Sequence, residues 1–208
     1  MRKLAILGAS GHGKIVADAA LQSEWDEVVF FDDAWPELKV NGSWSVVGDT
    51  QALLGCVSEF SGVAVAIGNN RIRLAKLRGF QKLGVSLPVL VHPRAYVADD
   101  AALEAGTVVF VAAVVQPGSM IGAGCIVNTA ATVDHDCFLA AGVHVCPGAH
   151  LAGGVNVGEC SWIGIGSAVN QYLTIGADVT VGAGAAVVRD IPDCQTVVGV
   201  PARSLIKG

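Results

Sequence analysis

From Val91 to Val187 an aliphatic residue recurs at every sixth position. Val91, Val97, Leu103, Val109, Val115, Ile121, Val127, Val133, Leu139, Val145, Leu151, Val157, Ile163, Val169, Ile175, Val181 and Val187 are seventeen positions in phase, each Val, Leu or Ile. Four residues after each comes a position that is never charged and mostly small, as at Ala95, Ala113, Cys125, Ala131 and Ser161. The next residue after the aliphatic one is often glycine or asparagine (Gly122, Asn128, Gly158, Gly164, Asn170, Gly176, Gly182). Period six matches neither 3.6 nor 3.5, so a helix is excluded, and glycine recurs too often for an ordinary alternating strand. The pattern predicts a solenoid with flat faces. Each hexad supplies a short strand with its aliphatic side chain inward, then a corner where a small inward residue relieves crowding. The glycines and asparagines are expected at those corners because they tolerate positive φ. One hexad cannot bury its own side chain, but coils stacked about 4.8 Å apart share a continuous core.

The first ninety residues follow another pattern. An apolar strand (Lys3 to Leu7) runs into a glycine loop (Gly8 to Gly13), a helix from Lys14 to about Leu21, and a second strand (Val28 to Phe31) ending on Asp32 and Asp33. A further strand, Val63 to Ile67, leads through Gly68-Asn69-Asn70-Arg71 into a helical stretch, Ile72 to Lys82. This is a Rossmann-like α/β unit, in which glycine loops and carboxylates gather around the crevice at one edge of a parallel sheet. The glycine spacing is G-x-x-G-x-G rather than G-x-G-x-x-G, so the dinucleotide fingerprint is not met. Alone, such a loop is also compatible with a mere tight turn. The helix start at Gly13-Lys14 suits a pyrophosphate, and Asp32 and Asp33 suit ribose hydroxyls or a uracil edge, so a nucleotide-sugar is favoured over a dinucleotide. Pro88 and Pro93 bracket the passage into the repeat, giving expected domains of 1–88 and 89–208.

Composition narrows the class. Hydrophobic residues make up 52% of the 208 and charged residues 15%, which excludes disorder; 26 glycines without a Gly-X-Y period point to repeated turns rather than collagen. The net charge of −5, with no basic run, argues against nucleic acid as partner. Six cysteines without C-x-x-C spacing suggest neither a zinc ribbon nor a redox motif and fit a reducing cytoplasm. The apolar run at the N-terminus stops at Gly8, too early for a signal peptide, and no stretch is long enough to span a membrane.

Chemistry concentrates in Asn128-Thr-Ala-Ala-Thr-Val-Asp-His-Asp-Cys137. His135 and Asp136 fall two and three places after the inward Val133, hence outward or near a corner, whereas Cys137 takes an inward position and reads as structural. Histidine with a carboxylate beside it is a general-base pair: near-neutral pKa in the ring, and a neighbour that orients it and raises its basicity. His135, His144 and His150 also invite comparison with the zinc histidines of γ-type carbonic anhydrases. Their hexad offsets are two, five and five, however, and no neighbouring pattern supports a metal site.

Period six over this length resembles the hexapeptide-repeat acyltransferases, whose triangular coils hold three hexads each; the resemblance implies a left-handed parallel β-helix after the Rossmann-like domain. Leu4-Ala-Ile-Leu-Gly-Ala-Ser-Gly-His-Gly, Phe30-Phe-Asp-Asp33, Ile67-Gly-Asn-Asn-Arg-Ile72, the segment around His135 and His144-Val-Cys-Pro-Gly-Ala-His-Leu-Ala-Gly153 extend it along the whole chain. Together they resemble the nucleotide-sugar acetyltransferases of bacterial protein glycosylation, which acetylate the 4-amino group of a UDP-4-amino-4,6-dideoxy-sugar on the way to UDP-di-N-acetylbacillosamine. The resemblance implies His135 as general base and Asp136 as the residue raising its basicity. It implies acetyl-CoA contacts at His144, Ile165 and Ala183, the last standing where a relative has glycine. Nucleotide-sugar contacts are implied at Ser10, Gly11, His12, Asp32, Asp33 and Gly68, with Asn128 close to the sugar. It further implies a homotrimer with donor sites between neighbouring subunits, acetyl-CoA as co-substrate and no metal. GDP-perosamine N-acetylation and sialic acid O-acetylation are the alternatives within the same class.

Overall fold

The computed structural model describes residues 1–205. Its contacts divide the chain into two units, Met1–Pro93 and Arg94 onward.

The first unit runs β1 (Lys3–Leu7), α1 (Gly11–Leu21), β2 (Glu27–Phe31), β3 (Val40–Asn41), β4 (Trp44–Ser45), α2 (Thr50–Cys56), β5 (Gly62–Val65) and α3 (Asn70–Lys82). β1 lies between β2 and β5 in a parallel sheet, with Leu7 opposite both Phe31 and Val65. Leu4 to Leu7 are all buried, as a central strand covered on both faces requires. The helix α1 presses Val16, Ala17, Ala19 and Ala20 inward. Gly13 makes that packing possible, because a Cβ there would strike the carbonyl oxygen of Gly8 and stand 3.0 Å from the Phe30 ring.

α1 starts at Gly11, not at Lys14 as the glycine content suggested. Extended Ser10 is its N-cap, so Gly11, His12 and Gly13 form the first turn and the helix N-terminus lies three residues earlier. α3 likewise starts early, because Asn69 Oδ1 accepts from Ile72 N at 3.0 Å. The β3–β4 hairpin and α2 were not foreseen.

In the second unit the hexads form two-residue strands stacked in parallel on three faces. The first face carries Tyr96–Val97, Val114–Val115, Thr132–Val133, His150–Leu151, Ala168–Val169 and Ala186–Val187, each eighteen residues from the last. The second runs from Ala102–Leu103 to Thr174–Ile175, and the third includes Val108–Val109, Ile126–Val127, His144–Val145, Trp162–Ile163, Thr180–Val181 and Thr196–Val198. The in-phase aliphatics fill the interior. The small inward residues do more than make room: Ser119 Oγ donates to Asp134 O (2.8 Å), Ser161 Oγ to Gly176 O (2.6 Å) and Thr107 Oγ1 to Gly122 O (2.9 Å). Cys125 and Cys137 bond in the same way to Ala140 O and Ala152 O, so small polar groups are satisfied inside an apolar prism. All six cysteines remain thiols.

One expectation about the corners fails. Positive φ occurs three residues after the aliphatic position, at Ala112, Ala130, Asp136, Cys160, Tyr172 and Asp178 as well as at glycines. The residues directly after it, Gly122, Gly158 and Gly164, are not in that region. They are glycine because the next coil stacks against them: a Cβ on Gly122 would lie 2.8 Å from Ala141 N and 2.9 Å from Leu139 O. Among the described residues no helix is long and apolar enough to cross a membrane.

Candidate active site

His135 and Asp136 occupy the corner that follows the first face. Asp136 takes the left-handed conformation (φ 57°), which turns its carboxylate back beside the preceding ring. His135 Nδ1 lies 2.8 Å from Asp136 Oδ2. A carboxylate only accepts, so Nδ1 carries the hydrogen and Nε2 keeps its lone pair in the neutral ring. The His135 side chain is 51% exposed and Asp136 72%, as a pair serving an external substrate would be. The hydrogen bond that His135 donates to Asp136, assisted by the charges of Asp134 and Asp136, raises the His135 pKa above its ordinary 6.5. Asp134 Oδ1 also accepts from His135 N at 2.9 Å, fixing the backbone of the turn.

His144 is held differently. It projects outward from the third face yet is buried, edge-on to Trp162 with ring centroids 4.4 Å apart. Asn128, one coil earlier, has its amide orientation set by Thr129 N, which donates to Oδ1 at 2.8 Å. Its Nδ2 therefore faces His144 Nε2, at 2.9 Å. An amide NH₂ only donates, so Nε2 of His144 accepts and Nδ1 bears the proton. Sequence reasoning separated Asn128, as a sugar neighbour, from His144; the structure makes them one buried pair. It also adds Trp162, which only its outward register on the third face could have signalled.

Ile165 and Ala183 stack at the corner that follows the third face, both exposed, with Gly184 N donating to Ile165 O at 2.8 Å. They therefore sit on a different corner of the prism from His135. His150 points outward from the first face, where Nδ1 meets Thr132 Oγ1 at 2.9 Å. The three histidines do not converge, and among the described residues no group of three His, Cys, Asp or Glu could hold a metal.

In the first unit, Ser10, Gly11, His12, Asp32 and Gly68 all lie at the C-terminal edge of the parallel strands, beside the open first turn of α1. Asp32 accepts from Ala9 N (2.7 Å) and Ala34 N (2.9 Å). Asp33 is anchored by Thr50 N and by Lys76 Nζ, both at 2.9 Å. Its pKa falls to about 2, chiefly through the hydrogen bond to Thr50, with Lys76 adding to it. The His12 ring is desolvated, and that burial, together with the nearby Arg73 charge, lowers its pKa to about 4; at neutral pH it is a neutral imidazole. Arg73, which the sequence did not single out, is buried and donates to Ile67 O (2.9 Å), Gly68 O (3.2 Å) and Asn70 Oδ1 (2.9 Å), so it shapes the Gly68 loop.

A small α/β unit with an anion-ready helix start, followed by a triangular parallel β-helix with a histidine–carboxylate pair on its surface, defines the hexapeptide-repeat acetyltransferase class. Residues 3–79 match the family described as the PglD N-terminal domain. The acetyltransferase domain of PglB from Neisseria gonorrhoeae FA1090, solved with acetyl coenzyme A, is 49% identical, with 98% of this chain and 99% of that one aligned at a TM-score of 0.94. PerB from Caulobacter crescentus, solved with CoA and GDP-perosamine, is 39% identical over 99% of this chain and 98% of that one, with a TM-score of 0.93. A serine acetyltransferase of Bacillus licheniformis is 40% identical over 45 residues, so the chain matches about a fifth of that curated relative's length. The chain belongs to the acetyl-CoA-dependent nucleotide-sugar N-acetyltransferases of the hexapeptide-repeat family.

Proposed function

We propose that the chain transfers the acetyl group of acetyl-CoA to the 4-amino group of a UDP-4-amino-4,6-dideoxy-sugar, giving UDP-di-N-acetylbacillosamine. The observation that carries the chemistry is the contrast between two histidines. His135 has its Nδ1 proton held by Asp136 and its Nε2 lone pair available, whereas His144 has Nε2 committed to the Asn128 amide. His135 is the base. The amine nitrogen attacks the thioester carbon and forms the N–C bond. The proton it sheds passes to His135 Nε2, the C–S bond breaks, and the proton goes on to the departing thiolate. Asp136 stabilises the imidazolium in between.

On this reading Ser10, Gly11, His12, Asp32, Asp33 and Gly68 contact the nucleotide-sugar. The first turn of α1 takes the pyrophosphate, and neutral His12 offers a hydrogen bond without a charge. His144, Ile165 and Ala183 contact acetyl-CoA, and Asn128 fixes the His144 tautomer beside the sugar. The base and the acetyl-CoA corner lie on different corners of one prism, which fits a homotrimer in which one subunit's base faces its neighbour's donor site. Thiol cysteines and the nucleotide-linked substrates fit a cytoplasmic enzyme.

The test is acetyl-CoA consumption with UDP-, GDP- and CMP-linked sugars. The expected result is turnover with the UDP-4-amino sugar at a kcat/KM at least tenfold above GDP-perosamine. GDP-perosamine is the competing acceptor because PerB was solved with it; a preference for it, or for a sialic acid hydroxyl, overturns the assignment of acceptor.

A further inference from the structure

Consecutive coils place Pro117-Gly118, His135-Asp136, Gly153-Gly154 and Gln171-Tyr172 in one column at the corner after the first face. Asp136 N donates to Pro117 O (3.0 Å), Gly154 N to His135 O (2.8 Å) and Tyr172 N to Gly153 O (2.9 Å). Within this column Gly153 is buried although His135 is exposed, because the imidazole covers it. A Cβ on Gly153 would stand 2.5 Å from His135 Cε1 and 3.0 Å from Cδ2, and nearer still to Nε2. Gly153 is not among the positive-φ residues, so its backbone would accept any L-residue. Space under the ring, not backbone conformation, calls for glycine here. Gly118, on the preceding coil, gives Asp136 the same room: a Cβ there would lie 2.7 Å from Oδ1.

We infer that Gly153 is a positioning residue for the reaction, its missing side chain forming the seat on which the His135 imidazole lies while Asp136, seated over Gly118, holds Nδ1. The inference rests on the reading of His135 as base, but its geometry does not. A methyl group at 153 meets the ring first, since its three nearest heavy atoms all belong to the imidazole. Displacing the ring breaks the 2.8 Å bond to Asp136 and re-aims Nε2. A misplacement of about 1 Å in a reacting group costs roughly 10²-fold in rate. The charged groups acting on the ring are Asp134 and Asp136 from its own turn; in the neighbouring coils of the column, Tyr172 packs over Gly154, 2.5–2.8 Å from a Cβ built there.

The experiment uses the full chain and three variants, Gly153→Ala, His135→Ala and the double variant, with NMR titration of the imidazole signals and steady-state kinetics. In Gly153→Ala the His135 titration should move down toward the ordinary histidine value, and kcat should fall about 10²-fold with KM for both substrates unchanged. The double variant should be no slower than His135→Ala. An unmoved His135 titration in Gly153→Ala, or a double variant clearly slower than His135→Ala, overturns the inference. If the titration moves while kcat stays within twofold, the seat is upheld and it is the assignment of His135 as base that fails.

Discussion

A histidine on an exposed corner would ordinarily sample many rotamers and titrate near 6.5. His135 instead has Asp136, in a left-handed backbone conformation, beside it to accept its Nδ1 proton and raise its pKa. The consequence for pH has a definite sign. The base works unprotonated and its pKa is raised, so kcat climbs with pH through a midpoint above 6.5. Asp136→Asn removes the charge and the strong acceptor, so the acid limb of the kcat–pH profile should move to lower pH while the plateau falls by less than in His135→Ala. General-base catalysis contributes about 10²–10⁴-fold, and His135→Ala should lower kcat by that range with little change in binding of either substrate. Stopped assays from pH 5.5 to 9 check both; an Asp136→Asn profile superimposable on the wild type would dissociate the carboxylate from the base. The pair itself was legible in the sequence, since offsets of two and three from Val133 place both side chains at a corner. The lock between Asn128 and His144 was not. It joins residues sixteen apart across neighbouring coils, and its direction depends on Thr129 N, a contact no sequence pattern carries.

The elements show where periodicity informs and where it misleads. An aliphatic residue every sixth position marks an inward side chain because nothing else keeps that phase over seventeen hexads, and the observed strands fall on it from Tyr96–Val97 onward. The glycines following it carried a second message that the pattern could not separate: in sequence, a glycine needed for φ looks the same as one needed for close approach. The structure separates them, with φ carried three residues after the aliphatic position, often by non-glycine residues, and close approach carried one residue after it. In the first unit β1, β2, β5, α1 and α3 were legible from apolar runs and glycine loops, whereas α2 was not. The β3–β4 hairpin was not, because two-residue strands beside Trp35, Pro36 and Glu37 show no period. The distinction predicts unequal stability effects. At Gly158 an added methyl meets backbone atoms of Gly176 and Ala177, which cannot move without unstacking a coil. At Gly166 (φ 63°) it meets open space, and the cost is only the left-handed conformation, about 1–2 kcal/mol. Thermal unfolding should therefore show Gly158→Ala losing clearly more than Gly166→Ala; equal losses would mean the coils are looser than their contacts indicate.

For the whole molecule, the question is how the proposed base and the proposed acetyl-CoA corner come together. His135 projects from the corner after the first face, whereas Ile165 and Ala183 line the corner after the third. A rigid triangular coil cannot fold one corner onto another. A neighbouring subunit can, if prisms pack side by side around a threefold axis, which also gives the exposed Met120 and Phe138 of the second face an apolar surface to meet. Light scattering should then return about three times the 21.2 kDa chain mass, and a micromolar monomer would sink the shared site. The sharper test mixes two disabled chains. One carries His135→Ala and an intact donor corner; the other carries Ile165→Asp, which puts a carboxylate where the acetyl-CoA would pack, and an intact base. Each homotrimer should be nearly inactive. In a co-expressed equal mixture, an interface regains activity whenever the intact base of one chain faces the intact corner of the other. Random assembly gives that pairing at roughly one interface in four, so the mixture should recover about a quarter of the wild-type rate. A site contained within one chain has no such route, because every chain in the mixture lacks one half of it, and its activity would stay at the level of the separate variants.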